Sequence, residues 1–178
     1  MSNSDFIITT RECDGFLIPS GDQIKIKKGT KVKITQSLGG DYTLYVNGNL
    51  IKISGQDADV INKKKVNLQT EKIEEYDEKI LWDVLKTCYD PEIPVNIVDL
   101  GLVYDLVTKQ LKNNKYYINI KMTLTAPGCG MGPVIAQDVE SKLKNITFVE
   151  DVLVEVVWEP LWNQTMMTEE AQLKLGML

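Results

Sequence analysis

Short apolar runs broken by turn residues fill the first sixty positions of the chain. Phe6-Ile7-Ile8 and Phe16-Leu17-Ile18 are β-branched or aromatic, and the second run stops at Pro19 before the turn Ser20-Gly21-Asp22. Ile24 and Ile26 alternate with Lys25 and Lys27. After Lys28-Gly29, Val32 and Ile34 alternate with Lys31, Lys33 and Thr35. This period of two marks strands with one buried face. Gly39-Gly40-Asp41 makes another turn. Tyr42-Thr43-Leu44-Tyr45-Val46, Asn47-Gly48-Asn49 and Leu50-Ile51-Lys52-Ile53 then predict a hairpin, because Asn-Gly accepts the positive φ of tight turns. A small all-β, barrel-like module is expected over residues 1–62.

From about Asp57 to Glu75 the chain is mostly polar or charged, and a linker is expected over 63–75. The period then changes. Ile80, Leu81, Val84, Leu85 and Cys88 share one face at helical spacing, which predicts an amphipathic helix over 74–88. Asp90-Pro91-Glu92-Ile93-Pro94 stops it, since proline removes donors and restricts its neighbours. Two strands, over 102–107 and 116–124, flank the polar turn Leu111-Lys112-Asn113-Asn114-Lys115. A glycine-rich loop follows, then a helix over 133–143 with Pro133 at a favourable first position. Val152, Val154, Val156 and Trp158 predict a last strand, ended by Glu159-Pro160. A short helix begins near Thr168, whose hydroxyl suits an N-terminal cap. The order helix, hairpin, helix, strand defines a compact α/β domain over 76–178, so the whole chain is of the α+β/α/β class. No internal repeat or low-complexity tract is visible.

Composition narrows the function. The 178 residues suffice for one ordinary domain or two small ones. Apolar content of 43% and charged content of 25% are those of a globular protein. The net charge of −5, with Lys63-Lys64-Lys65 as the only dense basic run, speaks against a nucleic-acid partner. No apolar run has the length of a membrane span. Met1-Ser2-Asn3-Ser4-Asp5 lacks the charged and apolar parts of a secretory signal. A cytoplasmic protein without a membrane partner is therefore expected. Cys13, Cys88 and Cys129 are too few and too far apart for a disulfide framework. Histidine is absent, which removes the commonest general base and neutral metal ligand. Cys-His and Ser-His-Asp systems are excluded within the chain. No catalytic residue is assigned, and the protein is not expected to be an enzyme.

The candidate chemistry centres on Cys129, in Ala126-Pro127-Gly128-Cys129-Gly130-Met131-Gly132. Flanking glycines let a backbone approach a ligand closely. Free N–H groups at a helix start favour an anion. Together they favour thiolate, the form that binds metal or attacks an electrophile. A tight strand-to-helix turn with a small buried cysteine explains the spacing equally well. A phosphate-cradling loop would need a lysine and a hydroxyl that this stretch lacks. Asp90, Glu92 and Asp99 could ligate a hard metal or position a partner. Local physics favours Asp90 as a cap and Glu92 as a solvated side chain. Cys88 reads as a small buried hydrophobe and Cys13 as structural. Trp158 is expected in the core, and Trp162 could anchor a partner.

Two blocks carry a resemblance: Asp90-Pro91-Glu92-Ile93-Pro94-Val95-Asn96-Ile97-Val98-Asp99-Leu100-Gly101-Leu102-Val103-Tyr104, and Met122-Thr123-Leu124-Thr125-Ala126-Pro127-Gly128-Cys129. Together they resemble the iron–sulfur assembly (MIP18-like) domain of bacterial SUF-system proteins and eukaryotic cytosolic targeting factors, over about 76–178. Ile18-Pro19-Ser20-Gly21, Thr35-Gln36-Ser37-Leu38-Gly39-Gly40-Asp41, Gly55-Gln56-Asp57-Ala58-Asp59 and Trp158-Glu159-Pro160-Leu161-Trp162 are similar to the SufT-like branch. Val60-Ile61-Asn62 departs from the Ala-Leu-Gly expected there. The resemblance implies an accessory factor that carries clusters, or helps deliver them, to apo-proteins through Cys129. Asp90, Glu92, Asp99 and Thr125 match patterned positions and are supporting candidates. It implies a labile iron–sulfur cluster or transient iron as cargo. SUF scaffold or carrier proteins and apo iron–sulfur clients are the implied partners, with a homodimer left open. One thiol is too few for a cluster, so the remaining ligands would come from a second molecule. The competing readings are a pure protein–protein adaptor of the SUF machinery and a thiol redox enzyme.

Overall fold

The computed structural model describes residues 5–65 and 74–178. The chain divides into two compact units, Met1–Asn67 and Leu68–Leu178.

The first unit is built of short strands: β1 (Ile7–Ile8), β2 (Cys13–Ile18), β3 (Gln23–Ile26), β4 (Lys31–Leu38), β5 (Asp41–Val46) and β6 (Asn49–Ile53). They form one sheet in the order β1-β4-β5-β6-β2-β3. Alternation buries Val32, Leu44, Val46, Ile51 and Ile53, with Cys13 and Ile26, as a single core. The β5–β6 turn has Asn47 at φ 48° and Gly48 at φ 89°, the positive values its sequence predicts. The expected barrel does not close. β1 has only two residues, both paired with β4, and β3 pairs with β2 alone, so the two stay as open edges.

Polar composition hides part of this core. Residues Gly55–Ile61 form a 3-10 turn capped by Ser54, and Ala58, Val60 and Ile61 are fully buried. Arg11 fixes the turn by bridging Asp57 at 2.8 Å and Asp59 at 2.7 Å. The hydrogen bond from Arg11, helped by Lys65, pulls the Asp59 carboxyl down to about 2. Burial, then the nearby Asp57 charge, pushes the Cys13 thiol up to about 11. The stretch from Asp57 to Ile61 therefore belongs to the folded unit. Of the linker expected over 63–75, residues 66–73 lie outside the described residues.

The second unit runs α1 (Glu78–Leu85), β7 (Val103–Gln110), β8 (Tyr116–Met122), α2 (Gly132–Lys144), β9 (Val149–Val156), a 3-10 turn (Gln164–Met166) and α3 (Glu169–Lys174). The sheet order is β7-β8-β9, with β7 antiparallel and β9 parallel to β8. Ile118, Ile120 and Met122 of β8 are fully buried, together with Leu81 and Leu85 of α1 and Ile135, Val139 and Leu143 of α2. Lys142 ties the two helices: its Nζ donates to the Thr87 carbonyl at 2.9 Å and pairs with Asp138 at 3.2 Å.

Helix α1 is shorter than the 74–88 expected from the apolar spacing. Asp77 caps it, accepting from the Lys79 N–H at 2.9 Å. Tyr76 is drawn away into a stack on Tyr116, ring centres 4.1 Å apart, with Phe148 edge-on. At the other end Lys86 and Thr87 form a turn, and Cys88 lies buried beyond the helix rather than on its face. The last helix begins where expected, with the Thr168 hydroxyl accepting from the Ala171 N–H.

Candidate functional site

Antiparallel β7–β8 and parallel β8–β9 pairing fix what gathers at one end of the sheet. β7 begins there, while β8 and β9 end there. Three segments therefore meet: the loop 86–102 entering β7, the loop 123–131 leaving β8, and the segment 157–168 leaving β9. They are stitched together. The Thr123 N–H donates to the Leu102 carbonyl at 2.8 Å, and the Val157 N–H to the Met122 carbonyl at 2.8 Å.

The first loop is rigid by its own side chains. Asp90 is buried, and its Oδ1 accepts from the Glu92 N–H at 2.9 Å, closing a turn. Asn96 Oδ1 accepts from the N–H groups of Val98 and Asp99, and Asn96 Nδ2 donates to Asp99 Oδ2 at 2.7 Å. Asp90 and Asp99 thus shape the backbone, a role their residue types favour in turns. Glu92 is exposed.

The second loop carries Thr125 and Cys129, both half-buried. Leu124 and Met131 on either side are buried and pin its ends. Cys129 accepts the Gly132 N–H through its carbonyl at 3.1 Å, and Met131, at the cap position of α2, makes no side-chain capping bond. The thiol sits just before the first helical turn, where backbone N–H groups favour a negative charge. Cys88 and Cys13 are buried, so Cys129 is the accessible thiol of the three.

The loop that carries Thr125 and Cys129 and the loop that carries Asp90, Glu92 and Asp99 join the sheet at the same end. No hydrogen bond or ion pair joins the thiol to the carboxylates among the described residues. Nor do the described residues contain a group of three or more Cys, Asp or Glu side chains placed to hold a metal ion. One thiolate does not fit a closed cluster site, which takes several.

Several participants were not legible in the sequence. Segment 157–168 straps the first loop down: Trp162 Nε1 donates to the Leu100 carbonyl at 2.7 Å, Thr168 N–H to the Asp99 carbonyl at 2.9 Å, and Tyr104 Oη to the Pro160 carbonyl at 2.7 Å. Gly101 has φ 75°, and a Cβ there would strike the backbone of Met166. The strap borders an open cleft of about 670 Å³ lined by Val103, Tyr104, Lys121, Val157, Pro160 and Met166 among others. The tryptophans depart from expectation: Trp158 is 38% exposed, while Trp162 is half-buried and tethered to the Leu100 carbonyl. Thr123 is fully buried, and its hydroxyl has no hydrogen-bond partner among the described residues. The Asp99-Leu100-Gly101 run was the one available signal for the strap, since a glycine there announces a positive φ.

A family model described as iron–sulfur cluster assembly protein matches residues 78–156, which lie wholly in the second unit. The chain belongs to this family. It is 43% identical over 95 residues to an Fe-S protein maturation auxiliary factor of Porphyromonas gingivalis, covering 53% of this chain and 87% of that protein. It is 40% identical over 87 residues to the Fe-S protein maturation auxiliary factor SufT of Staphylococcus aureus, covering 49% and 94% respectively. A crystal structure of a domain of unknown function from Bacillus anthracis superposes with a TM-score of 0.50 at 39% identity, covering 57% of this chain and 92% of that one. No helix of the described residues is long and apolar enough to cross a membrane.

Proposed function

We propose that this chain is an accessory factor in iron–sulfur cluster assembly that engages its cargo or its partners through Cys129. Membership of the assembly family carries the first part of this reading. The second rests on one accessible thiol at an uncapped helix start, on a loop pinned at both ends. A cluster or iron passing through this site is cargo. Cys129 supplies one ligand, and a second molecule supplies the others. Scaffold or carrier proteins and apo-clients of the assembly machinery are the partners this role requires, in the cytoplasm. The relatives' description as auxiliary factors supports a role without turnover.

Complementation tests the reading. In a strain lacking the gene, wild type should restore aconitase activity, and Cys129→Ser should fail to do so while keeping the wild-type melting temperature. Full rescue by Cys129→Ser overturns the role of the thiol and leaves an adaptor. Anaerobic reconstitution with iron and sulfide then separates carrier from adaptor: a carrier gains visible absorbance that Cys129→Ser lacks.

A further inference from the structure

The three-stranded sheet has an open edge at β7. This strand pairs with β8 alone, and its backbone makes no hydrogen bond beyond that ladder among the described residues. A bulge lies between Val103 and Asp105, and pairing is regular from Asp105 to Gln110. Asp105, Val107 and Lys109 alternate onto one face. All three are exposed, Val107 at 52%. Neither charge is in an ion pair among the described residues.

An unpaired edge is a template for another strand, and charges on it ordinarily discourage one. Here the two charges are opposite in sign and equidistant from Val107. An antiparallel copy of β7, related by a two-fold axis through Val107, turns both into attractions. Asp105 then faces the partner subunit's Lys109, and Lys109 faces the partner subunit's Asp105. Val107 faces the partner subunit's Val107, and Leu106 faces the partner subunit's Thr108. Cross-strand pairs of this kind are the unit of sheet stabilisation. Other registers are worse. A slip of one residue sets the exposed face of one strand against the buried face of the other. A slip of two sets a charge against Val107, and a slip of four sets like charges together.

We propose that the chain forms a homodimer by antiparallel addition of β7 to β7, making a continuous six-stranded sheet. The interface is isologous, as two-fold symmetry demands. β7 starts at the loop end of its own sheet, so the axis through Val107 points the two Cys129 loops in opposite directions. The dimer displays two separate thiol sites, and its existence does not depend on what Cys129 does.

Sedimentation equilibrium of the full chain tests the interface, without iron or sulfide. Wild type should be a dimer at high-micromolar concentration. Asp105→Lys should raise the dimer dissociation constant by about tenfold or more, because two attractions become two repulsions. Adding Lys109→Asp should restore it. In a Cys129→Ser background, Val107→Cys should be cross-linked between chains by diamide, since facing strand positions lie within disulfide reach. Leu153→Cys, on β9, should not. A monomeric wild type, a dimer indifferent to Asp105→Lys, or cross-linking through Leu153→Cys instead of Val107→Cys overturns the proposal. Each of these results leaves the complementation experiment on Cys129 untouched.

Discussion

Thr123 is the residue whose burial has no local reward. Its backbone N–H joins β8 to the Leu102 carbonyl, while its hydroxyl is buried without a partner among the described residues. A buried hydroxyl left unpaired costs its desolvation, and an isosteric apolar side chain avoids that cost. Thr123→Val should therefore raise the unfolding free energy by about 1 kcal/mol in a urea titration. A loss of stability would show that the hydroxyl has a partner in solution. Nothing in the sequence separates Thr123 from Thr125, two positions on, although one is fully buried and the other half-buried. The loop position of Cys129 was legible at this scale, because its glycine neighbours and Pro133 set the turn into the helix. Asp90 was legible as a turn former for the same reason, whereas the bond from Asn96 to Asp99 was not. Trp158 and Trp162 were not, because an indole is buried or exposed by what lies opposite it, and the partner of Trp162, the Leu100 carbonyl, is 62 residues earlier in the chain.

The elements were read well where periodicity is strong and poorly where a single side chain sets the boundary. β5 and β6 follow from alternation and Asn-Gly. The helix over 132–144 follows from its apolar spacing and Pro133. Helix α1 loses a turn at its start because Asp77 caps it and Tyr76 finds two aromatic rings. The 3-10 turn at 55–61 was masked by its carboxylates, which are there to meet Arg11. The strap over 157–168 is the element with the most direct bearing on the site. Gly101 is where it passes closest to the loop, at a positive φ that costs other residues about 1–2 kcal/mol. Gly101→Ala should lower the melting temperature by more than Trp162→Phe, which gives up one hydrogen bond worth about 1 kcal/mol. Equal effects would show that the strap does not press on Gly101.

At the scale of the whole chain, the sequence changes from period two to helical spacing, and the structure divides into the compact units Met1–Asn67 and Leu68–Leu178. Closure of the first unit was not visible, because it depends on whether two short edge strands meet. Stability against pH follows from two groups in that unit. Asp59 titrates at about 2 in the fold against an ordinary 3.8, so its contribution is present above about pH 4 and is lost as pH falls towards 2. Cys13 titrates at about 11 against 9.0, so its contribution is present below about pH 9 and is lost as pH rises through 11. The urea midpoint, followed by far-ultraviolet circular dichroism, should fall on both sides of this range. Asp59→Asn should flatten the acid limb and Cys13→Ala the alkaline limb. Limbs unchanged by these substitutions would place the titrating groups elsewhere.

The strap also makes the loop separable from the sheet. Residues 157–168 hold the chain at Asp99, Leu100 and Tyr104 and pass close to Gly101. The β7–β8 and β8–β9 ladders are held by their own hydrogen bonds. Local opening is governed by the contacts a segment makes. Release of Trp162 and Thr168 would therefore free the loop 86–102 at Leu100 and Asp99 while the ladders stay paired, and amide exchange in that loop would quicken before exchange in β8.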